Sequence, residues 1–530
     1  MALRLGAVRP RHAPPPLSPL ARLASKIKSN STGSNSTEDF KHATQRLSAA
    51  LASAGFAFSG QALALGPDVT AQIQIWFSGA SAPDNSLQNV FTSLCLANTL
   101  DVYKNDNVSS PGNNYRAFSC NLNSALIPGL STQNPTVEFI KRSAGGSAQG
   151  VQPVAREQAI SFLVVSSANC TETSPGSRDW RCSDDQPGET ENKVPDGGFS
   201  DVEPLLFRGP NTPSGFTDVT TADNARLVVN ATSATDFGIP VTRNLRDALQ
   251  DAQGLTVGSD NAANMPTLSR GQIASIMTGR VPNWTRFLVG GLPLTNFGTP
   301  PSSNTVHICR RTPGSGTQAT VNAQIMGSPC TAGALVATRA PGLPGGVVVV
   351  ENSGSGDVNN CMQGKDDSNL WAIGLQSTEQ NPTLAFDYRY IRVDGVLPTI
   401  DNVANGTYSL WGASTMQWRT SPEHFNDTNS AADILLTLQK FATDVANPTE
   451  LAASNASFVH PWGPGGLLAL PDNGFVVDND ADGLFDAAWP VTAYTRKPSG
   501  VVNNCIGPYI FGGASSPFRA EDDNATDGDL

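Results

Sequence analysis

The chain has 530 residues, 15% of them charged, and a net charge of −12. Soluble domains ordinarily carry about a quarter of charged residues, and a chain this long builds two or three packed domains. No Lys/Arg-rich stripe runs through the body of the sequence, which argues against a nucleic-acid partner, while a local convergence of donors still suits a small anion.

Residues 1–38 are rich in Arg, Pro and Ser and hold no acid before Glu38. They read as a disordered extension or as a start placed too early. Residues 39–64 read as a signal peptide. Lys41 and Arg46 form a positive n-region, Leu47 to Phe58 a small apolar h-region, and Ala62-Leu63-Ala64 an A-x-A cleavage site. A transit peptide is the rival reading of this Arg-rich, acid-poor start. The signal-peptide reading implies a periplasmic or extracellular protein. No later apolar run is long enough to span a bilayer. All eight cysteines lie beyond Ala64, and an even count in an exported chain favours disulfides. Cys170 with Cys182 and Cys309 with Cys330 are the closest in sequence and are expected to pair locally. There is no C-x-x-C, which argues against a zinc or redox motif.

"AQIQIWFSG" (71–79) alternates apolar residues and predicts a strand. A helix follows, with Ser81 as its N-cap, Pro83 and Asp84 in its first turn, and Leu87, Val90, Phe91 and Leu94 at helical spacing. Residues 156–169 predict a buried element, and 170–197 a disulfide-tied insertion. "TLSRGQIASIMTGRVPNW" predicts a helix capped by Ser269, with Gln272 completing a capping box, Ile273, Ile276 and Met277 on its apolar face, and Gly279 as its stop. "TVHICRR" predicts a strand, "TPGSGT" a turn, and "QATVNAQIM" a helix ended by Gly327. Residues 430–445 predict one more helix. Strands alternating with helices point to an α/β fold.

The strand–turn–helix around residue 311 suits an oxyanion. Arg311 sits at the strand end, and Ser315 and Thr317 each carry a hydroxyl and a backbone N–H. Gly316 permits close approach at a helix N-terminus. An ordinary Gly-rich turn with a solvent-facing Arg has the same sequence. "GSGTQA" also fits the dinucleotide pattern G-x-G-x-x-A, without the acid about twenty residues later.

"RRTPGSGT" resembles the Arg-Arg-x-x-Gly-Ser-Gly-Thr segment of periplasmic phosphate-binding proteins, the solute receptors of phosphate ABC transporters. Other segments resemble that family in the same order: "SGASAPDNSL", "GGSAQGV", "FSDVEP", "IASIMTGRVPNW", "LWAIGLQS" and "ANGTYSLWGAS". Together they cover about residues 65–445. The resemblance implies a two-lobed type II periplasmic-binding-protein fold, each lobe a mixed sheet flanked by helices. Lobe 1 would hold 65–235 and 396–530, including a C-terminal extension, and lobe 2 would hold 236–395. The ligand contacts implied are Ser81, Ser147, Asp201, Arg311, Ser315, Gly316 and Thr317. Asp201 would accept a proton that hydrogen phosphate has and sulfate lacks. The chain departs from the family at Pro83, where a ligand-contacting Thr is expected, and at Pro313, which replaces an acid that would hold the Arg.

"DNDADGLFD" fits D-x-D-x-D-G, so Asp478, Asp480, Asp482 and Asp486 are candidate calcium ligands, although Trp489 stands where a bidentate Glu is expected. His307, His424 and His460 are the histidines available to an enzyme, and no G-x-S-x-G, H-E-x-x-H or P-loop accompanies them. The sequence thus predicts an exported monomer without an organic cofactor. It would capture phosphate or a similar oxyanion for an ABC-transporter permease. A secreted phosphohydrolase using the same anion site and a ligand-free extracellular scaffold are the alternatives.

Overall fold

The computed structural model describes residues 65–106, 111–342, 345–382, 385–421, 425–427 and 430–512. The N-terminal extension, the signal peptide and His424 lie outside the described residues. The predicted strand forms as β1 (Ile73–Gly79), whose Ile, Trp and Phe side chains suit a pleated, buried surface. Helix α1 (Asp84–Ser93) follows, but Ser81 does not cap it. Pro83 is the N-cap residue and no side chain caps that end, because the Ser81 hydroxyl is taken by a guanidinium described below. Leu87, Val90, Phe91 and Leu94 are buried as their spacing predicts.

Three more strands, β2 (Asp101–Asn105), β3 (Tyr115–Asn121) and β4 (Thr136–Arg142), extend the sheet, with β4 parallel to β1. The stretch 156–169 is not the buried element its composition suggests. Only Ile160–Leu163 is a strand, in a two-stranded ribbon with Thr190–Lys193, so packing covers just part of it. The insertion that follows is tied as predicted by Cys170–Cys182, joining two antiparallel strands at the sheet edge. Next comes β5 (Gly197–Ser200), parallel to β1 on its other side.

The 16-residue strand β6 (Leu227–Thr242) joins two halves of the sheet. Its first part pairs antiparallel with β11 (Trp411–Arg419) and its last part with β10 (Tyr388–Val393). Helix α2 (Arg270–Met277) has the predicted Ser269–Gln272 capping box. Strand β7 (His307–Arg311), helix α3 (Gly316–Gln324), strand β8 (Val348–Asn352), helix α4 (Ser355–Asp367) and strand β9 (Ala372–Gly374) complete the second half, with β7 parallel to both β8 and β9. The order along the sheet is β8–β7–β9–β6–β11–β5–β1–β4–β3–β2. Helix α5 (Ala431–Asp444) lays Phe441 on β1 and β4, where its ring meets Phe139 at 5.3 Å. That core includes Phe77 and Phe91, and a separate core around Phe237, Ile308, Trp371 and Trp411 serves the second half. Each half thus buries its own apolar face, as an α/β layer must.

Cys309 does not pair with Cys330. Helix α3 carries Cys330 away from the strand, while α4 packs back over β7 and brings Cys361 to a Cα–Cα distance of 6.0 Å from Cys309. Cys330 joins Cys505, 175 residues later, and Cys95 joins Cys120. Peptide mapping without reductant should therefore recover Cys309 linked to Cys361 and Cys330 to Cys505. A Cys309–Cys330 peptide would contradict this packing. Replacing Cys330 and Cys505 together by Ser should cost about 2–5 kcal/mol in denaturant unfolding, because the bridge closes a long loop.

Candidate functional site

Five segments converge at the C-terminal ends of parallel strands, the place where α/β sheets bind ligands. Ser81 follows β1, Ser147 follows β4, Asp201 follows β5, Arg311 ends β7, and Ser355 opens α4 after β8. Arg311 is 1% exposed, and its partners fix it. Its Nε donates to the Asn352 carbonyl at 3.3 Å, Nη1 to Ser355 Oγ at 3.3 Å, and Nη2 to the Ser353 carbonyl at 2.7 Å and Ser81 Oγ at 3.1 Å. These carbonyls do the holding that Pro313 cannot. Burial lowers the Arg311 pKa, opposed by the charges of Asp201, Asp357 and Asp84. The neighbouring Arg310 points the other way along the strand's alternation and donates to the Ala337 and Thr338 carbonyls.

Across from Arg311, Ser147 Oγ accepts from Gly316 N at 3.1 Å and from Asp201 N at 3.3 Å. The Thr317 hydroxyl donates to Asp201 Oδ2 at 3.3 Å. The Ser315 N–H is used in the turn, on the Thr312 carbonyl, and Ser315 Oγ accepts from Gln318 N as the helix cap. The Thr317 hydroxyl and the Ser315 N–H are therefore spent on the protein. The N–H groups of Ser147 and Thr317 have no partner among the described residues, and both residues are fully buried. Asp201 Oδ1 is likewise buried without a partner. The contacts thus fall into two groups, Arg311 with Ser81 and Ser355, and Ser147 with Gly316, Asp201 and Thr317, and Asp201 lies near enough to Arg311 to feel its charge.

Two glycines let the walls meet. Gly146 has φ +71°, and a Cβ there would lie 3.0 Å from Ser315 Cα. A Cβ on Gly316 would lie 2.5 Å from Ser147 Oγ and 2.6 Å from Asp201 Cβ. Beside the ring, fully buried Lys141 pairs with Asp84 at 2.6 Å and donates to Ser143 Oγ and the Ala80 carbonyl. Sequence reasoning missed Ser355 and the Asp84–Lys141 pair. For Ser355 the signal was present, since "VVVVENSGSGD" repeats the strand, Gly/Ser turn and helix start seen at residues 306–317.

Burial pushes the Asp201 carboxyl up to about 6, against the Arg311 charge and the hydrogen bonds of Thr317 and Ser147. Burial raises Glu203 to about 7 and Glu379 to about 8. His307 stands at the opposite end of β7 from Arg311, and His460 stacks on Trp462 at 4.2 Å with Nε2 against the Thr378 carbonyl. Burial lowers both to about 4. Ligand oxygens of Asp478, Asp480 and Asp482 lie within 4.8 Å of one another. Asp486 is not in that group and accepts from Ala488 N.

Residues 244–443 match the model of the PBP superfamily domain. No curated protein matches. Among solved structures, an ABC-type phosphate transport receptor from Vibrio cholerae aligns at 14% identity over 69% of this chain and 93% of its own, with a TM-score of 0.34. A phosphate-binding protein from Stenotrophomonas maltophilia aligns at 14% over 66% and 79%, with a TM-score of 0.33. A reduced form of OxyR from N. meningitidis aligns at 9% over 70% and 93%, with a TM-score of 0.29. Likenesses this distant do not bear on the ligand.

The carboxyls set a pH dependence. An acid whose folded pKa is raised binds its proton more tightly in the fold, so stability is lost as pH rises toward the folded pKa. The two histidines oppose this, but only below about 6.5, their ordinary value. Between pH 6.5 and 8, Glu203 and Glu379 titrate, and the Asp236 carboxyl, held well above its ordinary value by burial, acts in the same direction. The thermal midpoint should fall across that window, and Glu379→Gln should flatten the fall. A midpoint that rises from pH 6.5 to 8 would contradict the assignment.

Proposed function

We propose that this chain captures hydrogen phosphate, or a close oxyanion, between the two halves of its sheet. The observation that carries the proposal is Asp201 Oδ1, a buried acceptor without a partner among the described residues, set beside buried donors. An unpaired buried acceptor costs about 1–3 kcal/mol. A ligand that brings its own proton removes that cost, and hydrogen phosphate does so while sulfate at neutral pH does not. The remaining oxygens would take the Thr317 and Ser147 N–H groups, the Ser315 hydroxyl and the one Arg311 Nη1 N–H left over from its protein partners, with the guanidinium charge beside them. The α3 N-terminus adds a favourable partial charge.

Binding rather than turnover is the better reading. Neither His307 nor His460 touches the ring, and Ser315 has no base hydrogen-bonded to it among the described residues. Ser147 and Asp201 follow strands of one half and Arg311 to Thr317 belong to the other, so an anion touching both would favour their apposition by its differential affinity. A membrane transporter reading that apposition is the partner this reading implies, with the chain exported to meet it. Among the described residues no helix is long and apolar enough to cross a membrane.

Calorimetry with phosphate and sulfate on the purified chain tests the proposal. Phosphate should be preferred at pH 7.5, and Arg311→Ala should weaken it at least about 100-fold, the loss of a charge-assisted pair. Asp201→Asn should weaken phosphate about tenfold and let sulfate bind, since the amide donates where the carboxylate cannot. In the unaltered protein sulfate should gain affinity below pH 6, where Asp201 takes up a proton. Unchanged phosphate affinity in Arg311→Ala, or retained sulfate rejection in Asp201→Asn, would sink the proposal.

A further inference from the structure

A second cavity lies behind the loop that carries Asp201. Its volume is about 390 Å3, within the roughly 300–1,000 Å3 of small-molecule sites. Four segments build it: the loop from Glu203 to Arg208, Asn224 at the end of the short helix Thr221–Asn224, the first part of β6, and the C-terminal stretch from Lys497 to Cys505. None of the four falls in the residues matched to the PBP superfamily domain, which are 244–443. The Cys330–Cys505 disulfide clips the C-terminal stretch to the chain beyond α3. Asn504 holds it to Glu203, donating from Nδ2 to Oε2 at 2.6 Å and from its backbone N–H at 3.1 Å.

The lining divides by chemistry. Leu205, Leu206, Leu227, Val229 and Val502 supply apolar wall. The polar groups on the wall are mostly committed elsewhere. Glu203 is occupied by Asn504, and Lys497 pairs with Asp472 at 3.0 Å. Arg208 differs, because it is exposed at the cavity and its guanidinium has no hydrogen-bond or ion-pair partner among the described residues. One free cation beside a partly apolar wall matches an anion with a hydrocarbon tail. The tail gains by leaving water and the head by pairing with the guanidinium.

We infer that this cavity is a second binding site, for an aliphatic carboxylate of medium chain length, with Arg208 taking the head group. The site is separate from the anion ring and uses none of its side chains.

Titration of the full chain with decanoate, followed by calorimetry, tests the inference. The unaltered protein should bind decanoate saturably. Arg208→Gln should weaken decanoate at least about tenfold and leave 1-decanol unchanged, because only the charged head is lost. Leu205→Asp should weaken both. Phosphate affinity should stay the same in each variant, so failure here leaves the anion ring untouched, and loss of phosphate binding leaves this site standing. A folded protein that takes up no decanoate saturably, or an Arg208→Gln protein that binds it as tightly as the unaltered chain, overturns the inference. Arg208 is exposed and its guanidinium has no hydrogen-bond or ion-pair partner among the described residues, so Arg208→Gln should fold, which circular dichroism checks before the comparison.

Discussion

A guanidinium buried to 1% exposure sets the constraint that the rest of the site obeys. An isolated buried charge costs far more than a fold can supply, so acceptors have to surround it. Arg311 finds them in the Asn352 and Ser353 carbonyls at the end of β8, in Ser355 at the start of α4, and in Ser81 after β1. Three strand ends must therefore converge on one side chain. Ser81 belongs to the half of the sheet opposite Arg311, so the charge also fastens the halves to each other.

The local charges are balanced around that centre. Asp84 pairs with Lys141, and Asp201 faces Arg311 through the field of both cations. Burial makes the Asp201 carboxylate reluctant to ionise, and the charges of Arg311 and Lys141 reverse only part of that reluctance. Asp201 consequently takes up its proton at about pH 6 and is ionised above it. A carboxyl in that state senses whether its neighbour brings a proton, which is the chemistry that separates hydrogen phosphate from sulfate. The glycines at 146 and 316 make the arrangement compact, since a Cβ at either would hold the walls apart.

The C-terminal stretch braces this arrangement from behind. Asn504 bridges Glu203 to β11, accepting from Ala413 N at 2.8 Å and donating to the Ala413 carbonyl at 3.1 Å. Glu203 lies two residues beyond Asp201, so the position of the acid depends on a segment some 300 residues later in the chain. The Cys330–Cys505 bridge secures that dependence covalently. The same brace forms one wall of the cavity lined by Glu203, Leu205 and Val502.

The sequence alone determined the local pieces. Period-2 and period-3.6 patterns identified β1, β7, α2 and α5, and the Ser269–Gln272 box marked its helix start, because each signal lies within a few residues. Arg311, Ser315, Gly316 and Thr317 were legible for the same reason, as strand–turn–helix punctuation, whereas Ser81, Ser147 and Asp201 as ligand contacts were implied only by the family resemblance. Local reading failed where a distant partner competed. Ser81 was expected to cap a helix, and Arg311, 230 residues away, takes its hydroxyl instead. Cys309 was expected to join the nearest cysteine, and helix packing chose Cys361. The Thr317 hydroxyl was expected to face a ligand, and Asp201 uses it. Only the tertiary structure decided these points, because hydrogen bonds and disulfides form between neighbours in space, and the strand order that sets those neighbours is a property of the whole sheet.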